Sequence, residues 1–111
     1  MNISTSLLSK FTKKEIDMLF KAVRVMGKIP AALLLGAPAT QEYGRLLLVV
    51  SKKTGNAPQR NKLRRRLKDI FYKEKLFSYK KDCIFIAKNK EINNLSFDDL
   101  KLFMKKNFGK N

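Results

Sequence analysis

Apolar residues recur along this chain with two different periods, and each period predicts an element. Ile16, Leu19, Phe20 and Val23 follow one another at i, i+3, i+4 and i+7, behind Thr12 and Glu15, which have the spacing of a capping box. A first helix is therefore expected over about Lys13 to Val25, ended by Gly27 and Pro30. Leu63, Leu67, Ile70 and Phe71 form a second helical stripe. That helix is expected to begin near Pro58, whose fixed φ and missing N–H suit a first helical position. Ser96 and Asp99 are spaced as the cap of a last helix carrying Phe97, Leu100, Phe103 and Met104, with Lys105 and Lys106 placed favourably against its dipole.

Compact apolar runs predict the strands. Ala31 to Leu35 and Arg45 to Lys52 are separated by G-A-P-A-T-Q-E-Y-G, whose glycines and proline punctuate as a loop, and Asp82 to Lys88 is a β-branched and aromatic run of strand length. The order is helix, two or three strands, helix, strand, helix. A strand, a helix and a strand in succession from Leu46 to Ala87 imply a crossover within one sheet, covered by helices. At 111 residues the chain is expected to form one domain over 1–111 with a single modest core.

Charge changes the picture from fold to partner. The formal net charge is +16, while 44% hydrophobic residues place the chain among folded rather than disordered proteins. From Lys52 to Lys81 there are twelve Lys/Arg against two acidic residues, Asp69 and Glu74. Arg64, Arg65 and Arg66 are consecutive and almost unrelieved by acids one turn away. Such a helix packs its stripe inward and turns the rest of its circumference to a polyanion, whose phosphates release condensed counterions on contact.

Other chemistry is excluded by composition. The chain has no His, which rules out Cys/His zinc fingers, His-based triads and imidazole acid–base catalysis. Cys83 is single and reads as a small buried strand residue in a reducing compartment. The acidic residues are few and scattered, and Asp98-Asp99 at a helix start is explained by capping, so no protein-bound metal is expected. G-N-A-P-Q-R-N-K lacks the second Gly before Lys and the following Ser/Thr of a phosphate-binding loop. The start does not read as a signal peptide, and Ala31 to Ala39 is far shorter than the roughly 20 residues of a membrane span, so a soluble, cytoplasmic protein is expected.

The stretch K-K-T-G-N-A-P-Q-R-N-K-L-R-R-R-L-K resembles the signature of the bacterial ribonuclease P protein subunit. The matching positions are Lys53, Gly55, Asn56, Ala57, Arg60, Asn61, Lys62, Arg64, Arg65 and Lys68, and the resemblance extends to the first helix, the D-C-I-F-I-A-K strand and the closing L-S-F-D-D-L-K helix. It implies an α+β fold, a compact α/β sandwich of the ribosomal-protein-like type with a left-handed crossover around the basic helix, against the right-handed default.

The resemblance also implies a division of labour. The catalyst would be ribonuclease P RNA, using Mg2+ bound mainly by that RNA to remove the 5′ leader of precursor tRNA, with no catalytic residue in the protein and neither a membrane nor a protein partner required. RNA binding would fall to Lys52, Lys53, Asn56, Arg60, Asn61, Lys62, Arg64, Arg65 and Lys68. A leader cleft between the first helix and the sheet would be lined by Ile16, Phe20, Ala32 and Leu34. From residue chemistry alone two rivals stay open: a non-catalytic, ribosomal-protein-like binder of structured RNA, and a protein that is itself a nuclease.

Overall fold

The capping box of the first helix forms as spaced. In the computed structural model, which describes residues 11–108, Glu15 N donates to Thr12 Oγ1 at 3.2 Å and Thr12 N donates to Glu15 Oε1 at 3.0 Å. The segment read as lacking a signal peptide, residues 1–10, lies outside the described residues. Helix α1 spans Lys13–Ala22 and is shorter than its periodicity predicts, because the chain turns extended at Val23 and enters strand β1, Arg24–Ile29. Gly27 therefore lies inside a strand and does not end a helix. The sequence conceals β1 because it is an edge strand with half its residues exposed and none fully buried, so its apolar pattern is faint. Beside a register shift between Val25 and Gly27, the backbone of Gly27 packs against the Asn107 side chain, leaving no room for a Cβ.

Strands β2 (Ala32–Pro38), β3 (Leu46–Val50) and β4 (Lys81–Ala87) complete one mixed sheet in the order β1-β2-β4-β3. β2 pairs antiparallel with both β1 and β4, while β3 pairs parallel with β4. Parallel neighbours need a crossover, which is supplied by helix α2, Ala57–Lys73. β4 is interior to the sheet and buried on both faces, which accounts for its unbroken apolar run C-I-F-I-A.

Helix α3 (Phe97–Phe108) begins at the expected cap: Asp99 N donates to Ser96 Oγ and Ser96 N to Asp99 Oδ2, each at 3.1 Å. The main core lies between α2, α3 and one sheet face, where Leu63, Leu67, Ile70 and Phe71 meet Leu34, Phe85, Leu100 and Met104. Each such side chain, fully buried, contributes about 1.5–3 kcal/mol. The other sheet face carries a small cluster built from Leu19 of α1, Ala37 and Ile84, with Leu35, Leu47, Val49 and Ile86 only partly buried around it. A ten-residue helix is about 15 Å long and covers only part of a four-stranded face, which is why these residues remain half-open.

Candidate nucleic-acid interface

The basic surface begins in the turn that leads from β3 into α2. Lys52, Lys53 and Thr54 form a single 3-10 turn in which Thr54 is buried, its Oγ1 donating to Ser51 O at 2.6 Å and its carbonyl accepting from Asn93 Nδ2. With Thr54 anchored, Lys52 and Lys53 are left exposed. Gly55 follows at φ 141°, a conformation that favours glycine, and a Cβ there would collide with Gln59 Oε1.

That oxygen is already engaged, because Gln59 and Asn56 form a second capping box. Asn56 Oδ1 accepts from Gln59 N at 2.9 Å, and Asn56 N donates to Gln59 Oε1 at 3.0 Å. Asn56 thus serves as the N-cap of α2 while remaining exposed. The N-A-P-Q spacing carries this signal in the sequence, where Asn56 is read as an RNA-binding residue and not as a cap. Helix α2 begins one residue before Pro58, which occupies its second position.

Along α2 the stripe of Leu63, Leu67, Ile70 and Phe71 is buried, and Asn61, Lys62, Arg65 and Lys68 are exposed. Arg64 is half-buried and directed: Nη1 donates to Asn61 Oδ1 at 3.2 Å and Nη2 to Val50 O at 3.4 Å. Asn61 therefore orders Arg64 rather than its own neighbour in the chain, Arg60. Arg60 is half-buried, and its Nε is enclosed without a hydrogen-bond partner. Among the described residues, none of Arg60, Lys62, Arg64, Arg65, Arg66 and Lys68 pairs with a carboxylate; the acids of this region are turned elsewhere, Asp69 to Lys73 and Glu74 to Lys101 and Lys105. The face of α2 is thus an uncompensated cationic surface.

The apolar surface beside α1 differs from its expected lining. Ala32 and Leu34 are fully buried in the main core, on the sheet face opposite α1, and cannot line a cleft there. Side chains alternate along a strand, and in β2 it is Leu35 and Ala37 that point to the α1 side, continued by Leu47 and Val49 of β3 and Ile86 of β4. The run A-A-L-L-L contains no alternation from which the face could be read. Of the two helix residues, Ile16 is half-buried and Phe20 is 46% exposed, and both lie outside the buried cluster. They share a stripe of α1 that leads toward Val23, the residue just past the helix, which packs against that cluster.

Arg45 fixes α1 over this face, a role the sequence did not disclose. It is 3% exposed, with Nη1 2.8 Å from Glu15 Oε2 and Nη2 3.4 Å from the buried Asp82 Oδ2. Its backbone N donates to Asp82 Oδ1 at 3.0 Å, and its guanidinium lies 4.2 Å from the centre of the Phe11 ring. The Thr12 N–H, and after it Arg45, hold the Glu15 carboxyl below the ordinary glutamate range. Cys83, in contrast, is fully buried on β4, and desolvation pushes its thiol far up, so it offers no nucleophile. Among the described residues, no group of three or more Cys, Asp or Glu side chains is placed to hold a metal ion.

The comparisons with known proteins follow the same lines. The family model for ribonuclease P matches residues 10–111. The fold resembles the Staphylococcus aureus RNase P protein at a TM-score of 0.74 and 22% identity, covering 89% of this chain and 90% of that one. It resembles the Thermotoga maritima RNase P protein at a TM-score of 0.73 and 22% identity, covering 88% and 92%. No curated protein sequence matches. At these identities the structural likeness carries the fold, and the family rests on the sequence model.

Proposed function

The chain belongs to the ribonuclease P protein family, and from that premise we propose that it grips the catalytic RNA of ribonuclease P and the 5′ leader of precursor tRNA, assisting a cleavage performed by the RNA. The observation that carries the reading is the cationic face of α2 and its lead-in turn, from Lys52 and Lys53 through Arg60, Arg64 and Arg65 to Lys68, left without carboxylate partners. Phosphates are the natural complement, and Asn56 and Asn61 order the surface that meets them.

The leader lies, in this reading, on the half-open apolar face beside Ile16 and Phe20, over Leu35, Leu47, Val49 and Ile86. With a single ring, Phe20, on that helix stripe, contact with bases is more apolar than stacked. The described residues do not fit a magnesium site, lacking a carboxylate cluster; in this reading the metal belongs to the RNA, and the protein's part is to screen phosphate repulsion. None of its described helices is long and apolar enough to cross a membrane. Action in the cytoplasm, without a further protein partner, is part of the same proposal.

The test is cleavage of leader-bearing precursor tRNA at low magnesium by the host ribonuclease P RNA alone, the protein alone and both together. Cleavage chiefly with both is expected. Tight, salt-sensitive binding with no enhancement would leave only a structured-RNA binder, and activity of the repurified protein alone would move the chemistry to the protein.

A further inference from the structure

The basic helix and the α1 side of the sheet leave one concave surface without a role, apolar along Val25, Met26 and Pro38 and rimmed by polar groups. At the β1 edge, the edge opposite the strand that feeds α2, a cavity of about 590 Å³ opens between β1, the end of β2 and the turn around Tyr79. Its lining includes Arg24, Tyr79, Lys80, Lys81 and Asn107 and contains no carboxylate. Tyr79 is 48% exposed, with its ring centre 5.9 Å from that of the fully buried Phe108, so the ring rests on the core and remains open to solvent.

The turn that presents these groups is held from several sides. Lys80 has φ 56°, unusual for a residue other than glycine, and is fixed there by donating to Phe77 O at 3.3 Å and accepting from Ala39 N at 2.9 Å. The Gly44 backbone packs directly against that of Lys81, where a Cβ would not fit. Asn107 is 5% exposed; its Nδ2 donates to Phe103 O at 2.7 Å, while its Oδ1 makes no hydrogen bond among the described residues. The missing Cβ of Gly27 gives this amide its room. A half-open ring, three cations and an acceptor of the largely buried Asn107 therefore line one cavity.

We propose that this cavity binds an unpaired nucleotide of the partner RNA: the base stacks on Tyr79, its exocyclic amine donates to Asn107 Oδ1, and its phosphate is answered by Arg24, Lys80 and Lys81. The proposal rests on the reading of the chain as an RNA-binding subunit. It favours adenosine or cytidine, whose exocyclic amine offers two N–H donors to Asn107 Oδ1, over uridine, which has a carbonyl at that position and only N3–H to donate.

The experiment is titration of the isotope-labelled full chain with adenosine 5′-monophosphate and, separately, uridine 5′-monophosphate, followed by NMR. The adenosine nucleotide should shift the Tyr79 and Lys80 backbone amides and the Asn107 side-chain amide, and bind several-fold more tightly than the uridine nucleotide. Tyr79→Ala should weaken it about tenfold, and Tyr79→Phe should retain it. Should Tyr79→Ala fail to fold, Arg24→Gln with Lys80→Gln must lower affinity for the nucleotide while leaving that for adenosine unchanged. Shifts confined to α2 and its lead-in turn, equal binding of the two nucleotides, or a Tyr79→Ala variant that titrates as the parent does would overturn the proposal. A chain that titrates at Tyr79 and Asn107 yet fails to enhance cleavage by ribonuclease P RNA keeps the cavity and loses the subunit reading. One that enhances cleavage without titrating there loses the cavity alone.

Discussion

Arg45 Nη1 lies 2.8 Å from Glu15 Oε2, so the residue just ahead of β3 holds the first turn of α1. The same guanidinium reaches Asp82 on β4, and through it a helix, a loop and an interior strand share one charge network, buried at Arg45 and Asp82 and partly open at Glu15. The helix that flanks the open apolar face is thus held by this ion pair as well as by the one buried residue, Leu19, that it contributes.

Arg45→Ala would leave Asp82 buried without its counter-charge. It should destabilise the chain by about 3–5 kcal/mol, measured by denaturant unfolding, and Arg45→Lys should recover only part, since an ammonium cannot span both carboxylates as a planar fork does. A destabilisation below about 1 kcal/mol would place the network among surface ion pairs.

Acid should weaken the fold in a defined sense. Glu15 is held below the ordinary glutamate range by the Thr12 N–H and then Arg45, and Glu74 by its bond to Lys105 and the charges of Lys101 and Lys105. A carboxyl whose folded pKa is depressed stabilises the fold above its unfolded value, about 4.3 for glutamate, and that contribution disappears as pH falls through the folded value. Thermal melts should therefore be level from neutral pH to about 5 and decline below about 4.3. Glu15→Gln with Glu74→Gln should flatten that decline, and an unaltered acid slope would assign it to other groups.

Changing Arg60 and Arg65 together to Ala should weaken binding to ribonuclease P RNA and reduce the salt dependence of that binding. For every phosphate that the variant no longer neutralises, the slope of log affinity against log salt should fall by about 0.7–0.9. Filter binding across a salt series reads both quantities, and an unchanged slope would remove α2 from the footprint.

Leu34 and Phe20 should behave oppositely, although both read as cleft residues in the sequence. Leu34→Ala empties a fully buried site and should cost about 2–5 kcal/mol of stability. Phe20→Ala removes a ring that is 46% exposed and should leave unfolding nearly unchanged while lowering affinity for leader-bearing tRNA more than for mature tRNA. An equal reduction for both tRNAs, with the fold intact, would take Phe20 out of the leader contact.

The elements stabilised by neighbours in sequence were legible in the chain itself. Thr12 with Glu15 and Ser96 with Asp99 cap their helices with the partners their spacing announces, because a capping bond spans three residues and needs nothing distant. The stripe from Leu63 to Phe71 and its basic circumference follow from helical geometry alone, which is why the cationic side of α2 is visible in the amino-acid order. What only the tertiary structure decided depends on pairing. β1 exists because β2 offers it a ladder, and nothing in R-V-M-G-K-I compels a strand. The register of β2 against β4, Leu34 opposite Phe85 and Leu35 opposite Ile84, assigns one leucine to the core and its neighbour to the open face. A uniform apolar run cannot express that choice, since a slip of one residue exchanges the two faces. The Arg45 network and the cavity beside Tyr79 likewise join residues far apart in the chain, and only folding brings their charges and rings into contact.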